Sequence, residues 1–233
     1  MKFIRKFLRI LKYRIKFLAK NNNAKINYFV QSSFLDKNLT DLMNAYGSDK
    51  GGFNKDHNFS DYYSTIFFDK KQSFKNILEV GLGTNNINVP SNMGLEGKPL
   101  ASLRAWRDYF LNANIYGADI DRKILKDEDR IKTYYVDQTN PSSILELFKN
   151  IGDISFDIII DDGLHEYNAN ICLFENSFKF LKKNGIYVIE DVFFKDKNKF
   201  FQYFKNSNYN FSIVDIFHKN NISNNCLVII YKF

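Results

Sequence analysis

Residues 76–86 read Asn-Ile-Leu-Glu-Val-Gly-Leu-Gly-Thr-Asn-Asn. The apolar run 77–80, interrupted only by Glu79, suits a strand buried in a parallel sheet, and the glycines after it let the backbone turn and pass close beneath a ligand. Gly81-Leu82-Gly83 taken alone fits an ordinary strand-to-helix turn equally well. What gives it weight is that carboxylates recur at the ends of the next strands, where open α/β sheets bind ligands.

Those strands can be read in order. Residues 115–119 form a second apolar run ending in Asp119. Residues 131–136 form a third, followed by Asp137-Gln138, and a fourth at 156–160 runs into Asp161-Asp162-Gly163-Leu164-His165. A fifth at 186–189 ends in Glu190-Asp191. Helical patterns intervene at 39–46, 102–111, from Pro141 to 148, at 167–181 and at 199–205, and two late strands near 211–217 and 227–231 are joined closely enough to pair antiparallel. The alternation predicts an α/β fold: a Rossmann-like, mostly parallel seven-stranded sheet with helices on both faces and an antiparallel C-terminal strand. Residues 26–34 show no clear pattern.

Two segments fall outside this alternation. The excursion 87–100 separates the glycine turn from its helix at the ligand-binding edge, so it should shape the pocket. The glycine-rich, polar stretch 47–63 is either a surface connection or a cover over the site that contributes Ser48, Asp49, Lys50, His57 and Tyr63. On the helix at 102–111, Arg104, Trp106 and Arg107 either face ligand or are, respectively, a solvated charge, a core residue and a second solvated charge.

With 233 residues and 45% hydrophobic content the chain can fill one substantial core. Its formal charge of +7 is concentrated at the start, because residues 1–20 carry eight basic side chains and no acid. The remainder sits at about −1, which argues against nucleic acid as a partner. Apolar residues at 3, 4, 7, 8, 11, 15 and 18 mark residues 1–20 as a basic amphipathic helix that either packs on the domain or makes a peripheral contact with an anionic membrane. No run approaches the roughly 20 apolar residues of a membrane span. Cys172 and Cys226 have neither disulfide nor metal spacing, which suits a reducing, cytoplasmic setting, at the inner membrane face if the helix anchors there. The expected division is 1–20 amphipathic helix, 21–74 extension and active-site segment, and 75–233 catalytic domain. Association of the chain with itself stays open.

From residue 75 onward the chain resembles the class I S-adenosylmethionine-dependent methyltransferases, through Glu79-Val80-Gly81-Leu82-Gly83, Asp119 and Asp137. The resemblance implies S-adenosylmethionine as cofactor, with its methionine part against Gly81 and Gly83, its ribose hydroxyls on Asp119 and its adenine amino group on Asp137. Ser48, Glu79, Asn85, Ser102 and Gln138 complete the expected cofactor set. A dehydrogenase would show a third glycine where Asn86 stands, with a helix directly behind it.

Asp162-Gly163-Leu164-His165 together with Glu190-Asp191 is similar to the metal-dependent sugar O-methyltransferases of the macrocin and mycinamicin type. That resemblance implies Asp162, Glu190 and Asp191 as ligands of a divalent cation and His165 as general base, with a sugar or nucleotide sugar as substrate. The geometry is consistent, since neighbouring parallel strands bring their ends to about 5 Å, and carboxylates converging there repel unless a cation joins them. All-oxygen ligation favours Mg²⁺ or Mn²⁺. The expected function is therefore methyl transfer to a sugar hydroxyl, of a nucleotide-activated hexose or heptose or of a surface polysaccharide. The alternatives are a catechol-like small-molecule O-methyltransferase and a non-catalytic cofactor-binding module at a membrane assembly.

Overall fold

The computed structural model describes residues 26–29, 38–52, 57–218, 221 and 223–233, with Ile26–Phe29 described as backbone only. The amphipathic segment 1–20 and the polar residues after it lie outside the described residues. Eight strands are described: β1 (Ile26–Phe29), β2 (Asn76–Val80), β3 (Asn114–Asp119), β4 (Ile131–Tyr135), β5 (Phe156–Asp161), β6 (Leu181–Ile189), β7 (Asn210–Ile216) and β8 (Cys226–Tyr231). They form one sheet in the order β1-β7-β8-β6-β5-β2-β3-β4. β2 to β6 pair parallel, and β8 runs antiparallel to both β6 and β7. This is the expected seven-stranded sheet with one short addition, β1, which pairs parallel with β7 at the edge.

Six helices are described: α1 (Asn38–Tyr46), α2 (Phe59–Phe67), α3 (Ala101–Tyr109), α4 (Pro141–Ile151), α5 (Tyr167–Ser177) and α6 (Lys197–Lys205). α1 to α3 cover one face of the sheet and α4 to α6 the other. Side chains alternate across a strand, so Ile77, Ile158, Ile160 and Val188 pack into the first layer while Leu78, Val80, Ile159 and Ile189 pack into the second. Trp106, fully buried, joins Tyr63, Phe67, Phe74 and Phe110 in an aromatic cluster with centroids 5.2–6.2 Å apart, which fixes α2 against α3. Trp106 is therefore a core residue. Arg104 grips Glu128 (2.7 Å) and Arg107 bonds Asp108 (2.8 Å), so both arginines are tied to neighbouring acids.

α4 starts where Pro141 suggested, with the Asn140 side chain accepting from the N–H groups of Ser142 and Ser143. The helix expected over 167–181 ends at Ser177 instead, a 3₁₀ turn follows, and β6 already begins at Leu181. Lys232 braces the segment that follows, its ammonium donating to the carbonyls of Phe178, Lys179 and Leu181. No helix among the described residues is long and apolar enough to cross a membrane.

Candidate active site

The glycine turn lies at the C-terminal edge of the sheet and lines a cavity of about 560 Å³. Gly81 (φ +97°) and Gly83 (φ +76°) adopt backbone conformations that L-residues rarely take. The close approach at Gly81 is to the chain itself: a Cβ there would overlap the carbonyl of Asp162, whose N–H is bonded to Val80 O (2.8 Å). The glycine thus lets the turn after β5 lie directly against the end of β2. The excursion 87–100 forms a wall of the cavity through Val89, Pro90, Ser91, Asn92, Met93 and Lys98. Ser91 ties it to the β5 turn by donating to Leu164 O (2.9 Å).

The expected cofactor residues divide into two groups. Ser48, Gly81, Gly83, Ser102, Asp119 and Asp137 line the cavity. Asp119 accepts from the N–H of Leu82 (2.7 Å) on one oxygen and of Asp121 (2.8 Å) on the other, which leaves each oxygen a lone pair for the cavity. Burial pushes its carboxyl above the ordinary range.

Three other members hold the site together from behind. Glu79 is fully buried and absent from the wall, because the pleat turns it into the α1–α3 layer, where Ser102 Oγ (2.8 Å) and Trp106 Nε1 (2.5 Å) donate to it. Asn85 donates to the carbonyls of Leu95 and Gly97 and so folds the excursion instead of facing the cavity. Gln138 reaches the wall but its amide is already engaged, accepting from Leu164 N (2.7 Å) and donating to Asp161 (3.1 Å). Asp161, fully buried and also bonded by Asn170 (2.9 Å), is pushed up to about 6 by burial.

In the same cavity Asp162, His165 and Asp191 come together, with one candidate ligand atom from each lying within 4.8 Å of the others. His165 Nε2 stands 3.2 Å from Asp162 Oδ1 and 3.4 Å from Asp191 Oδ2. Asp191 is steadied from behind by His57 Nε2 (3.1 Å) and Asn224 Nδ2 (2.9 Å). Both His165 (φ +58°) and Asp191 (φ +55°) are held in the left-handed region, a strained conformation that clusters at functional sites. Nothing in the sequence pointed to Asn224, which follows a polar run without a motif.

Glu190 stands apart from this set. Just past β6 the chain turns at Asp191, so Asp191 faces the cavity while Glu190 enters the α1–α3 layer. There Lys50 Nζ (2.5 Å) and Tyr63 OH (2.5 Å) donate to its two oxygens. Lys50 also bonds Asp162 and lies 3.5 Å from Glu79. Burial opposes the Lys50 charge, but Asp162, Glu190 and Glu79 outweigh it and keep the amine an ammonium. The carboxylates of Asp162 and Asp191, facing the cavity, offer oxygen donors to a hard divalent cation, with Glu190 available to it only if Lys50 lets go.

Burial likewise opposes charge on His165, yet Asp191 and Asp162 push it up to about 10. A folded-state value above the unfolded value of about 6.5 stabilises the chain fully below pH 6.5 and loses that contribution as pH rises towards 10. In EDTA, wild-type stability from urea melts should therefore fall between pH 7 and pH 10 more steeply than that of His165→Gln. Equal slopes would show that His165 is not held as an imidazolium.

No protein-family model matches the chain. Among curated proteins it is 34% identical over 154 residues to 8-demethyl-8-alpha-L-rhamnosyl tetracenomycin-C 2'-O-methyltransferase of Streptomyces olivaceus, covering 66% of this chain and 37% of that protein. It is 35% identical over 155 residues to mycinamicin VI 2''-O-methyltransferase of Micromonospora griseorubida, covering 66% and 36%. The chain is a relative of the macrocin- and mycinamicin-type sugar O-methyltransferases. Among solved structures it superimposes on MycE methyltransferase in complex with Mg, SAH and mycinamycin VI, with a TM-score of 0.55 and 31% identity over 66% of this chain and 39% of that one. The SAH-bound Podospora anserina methyltransferase PaMTH1 matches 91% of this chain and 92% of its own at 15% identity and a TM-score of 0.54, which shows the shared fold alone. The chain spans little more than a third of the length of the curated relatives it matches.

Proposed function

We propose that the chain is an S-adenosylmethionine-dependent, divalent-metal-dependent O-methyltransferase acting on a sugar hydroxyl. The observation that carries this reading is the placement of Asp162, His165 and Asp191 in the same cavity as the glycine turn and Asp119. A methyl donor held by the glycine turn and Asp119 would lie in the same cavity as an acid–base group. The named activities of the relatives support the sugar as acceptor.

Asp119 and Asp137 would hold the ribose and adenine of the donor, and the Gly81–Gly83 turn leaves room for its methionine part. Asp162 and Asp191 would hold Mg²⁺ or Mn²⁺, which when bound polarises the acceptor oxygen and offsets the carboxylate charge around His165. A sugar hydroxyl is a poor nucleophile at neutral pH. His165, oriented between Asp162 and Asp191, would take its proton at Nε2 as the oxygen attacks the sulfonium methyl. The buried Asp161–Gln138–Leu164 bonds hold the turn carrying His165 in place.

The donor half can be tested apart from the chemistry. Asp119→Ala should weaken S-adenosylmethionine binding by about 1.5–3 kcal/mol, the range for a hydrogen bond to a charged group. Calorimetry on the folded variant reads this, and an unchanged affinity would move the ribose site elsewhere. The acceptor is tested with labelled donor against nucleotide-activated hexoses and heptoses, a surface polysaccharide, glycosides carrying an aglycone, and catechol. Transfer to the first two classes is the finer reading proposed from the sequence, and transfer to glycosides would align the chain with its relatives. Labelling of catechol in preference to every sugar would overturn the carbohydrate assignment.

A further inference from the structure

We propose that Lys50 is a built-in counter-ion of the carboxylate cluster and that a divalent cation competes with it for Asp162 and Glu190. The inference rests on the divalent-ion reading of the site and adds a residue that acts on it.

Lys50 is 2% exposed, and its ammonium has three N–H donors set among three acids that arrive from different strands: Glu79 in β2, Asp162 after β5 and Glu190 after β6. Buried carboxylates packed this closely need a positive partner, and Lys50 supplies it without any bound ion. Asp162 is the shared member. One of its oxygens bonds Lys50 while the other faces His165 and belongs to the converging set with Asp191. A cation seated on Asp162 and Asp191 therefore lies across a single carboxylate from the ammonium, and the two positive charges oppose each other in a poorly solvated place.

The segment that carries Lys50 is short and flanked by glycines. Lys50 sits in a single 3₁₀ turn, Asp49–Gly51, between Gly47 (φ +82°) and Gly52 (φ +77°). Ser48 and Asp49 of the same segment line the cavity. Arrival of the ion would release Lys50, bring Glu190 within reach as a further oxygen ligand and shift this part of the cavity wall. Lys50 is thus a positioning residue: it offsets the charge of Asp162 and holds Glu190 in place until the ion replaces it.

The test uses the wild-type chain, a pulse of acetic anhydride and mass spectrometry, with exposed Lys132 as the internal reference. Saturating Mn²⁺ should raise Lys50 acetylation severalfold relative to Lys132. Independently, Lys50→Met should bind Mn²⁺ about tenfold more tightly by calorimetry, and should melt lower than wild type in EDTA with the loss recovered in Mn²⁺. Mn²⁺ failing to bind the wild-type chain would remove the divalent-ion reading itself. Mn²⁺ that binds while Lys50 stays protected overturns the competition alone, as does unaltered Mn²⁺ affinity in folded Lys50→Met. Should that variant not fold, the labelling of the wild-type chain decides.

Discussion

His165→Ala should lower turnover by about 10²- to 10⁴-fold, the range for removing a general base, while the donor and a divalent cation still bind. The imidazole lies within 3.4 Å of two carboxylates that fix its orientation, and it faces the cavity where an acceptor oxygen would lie. Its position also makes it a candidate third ligand, so the same variant separates two roles. As a base, it leaves metal affinity nearly unchanged and imposes the acid limb of the pH–rate profile, which the variant loses. As a ligand, its removal weakens metal binding in step with turnover. Single-turnover methyl transfer together with Mn²⁺ calorimetry distinguishes these results, and near-normal turnover would leave the base to be found elsewhere.

Gly81→Ala should destabilise the fold by about 3 kcal/mol or more and abolish activity. Two costs combine there, a left-handed backbone at φ +97° and a methyl group driven into the carbonyl of Asp162. Backbone on both sides leaves little to yield, and the element that must shift is the turn that carries Asp162 and His165. Gly94 provides the control, because it also has positive φ but nothing lies within 4 Å of an added Cβ. Gly94→Ala should therefore cost only about 1 kcal/mol. Urea unfolding of the two variants reads the difference, and equal losses would mean that backbone strain, without the overlap, accounts for Gly81.

Much of the architecture could be read from the sequence because its signals are local. Apolar runs ending in Asp119, Asp161 and Glu190 marked strands and the ligand edge at once, and Asn140-Pro141 marked a helix start. β1 has four residues and no alternation, and its pairing with β7 is a contact across most of the chain, so no local pattern could announce it. The 3₁₀ turn that replaces the end of the expected helix is braced by Lys232, more than fifty residues away.

The site was legible to the same depth. Position in sequence pointed to Asp162, His165 and Asp191, but treating Glu190-Asp191 as one unit missed the left-handed turn at Asp191 after β6, with Glu190 drawn to Lys50 and Tyr63. Glu79 and Gln138 were expected at the cofactor with the resemblance; the structure engages Glu79 with Ser102 and Trp106 away from the cavity wall and Gln138, on the wall, with Leu164 and Asp161. Lys50 lay in a glycine-rich stretch that reads either as a surface connection or as a cover over the site, and only the fold shows which three acids it meets.

The most direct measurement is transfer of a labelled methyl group to a glycoside acceptor by protein stripped with EDTA, then supplied with Mg²⁺, alongside Asp162→Asn. The expected result is negligible transfer after stripping, recovery with Mg²⁺, and little recovery in Asp162→Asn. Full transfer in EDTA would contradict the metal-dependent mechanism.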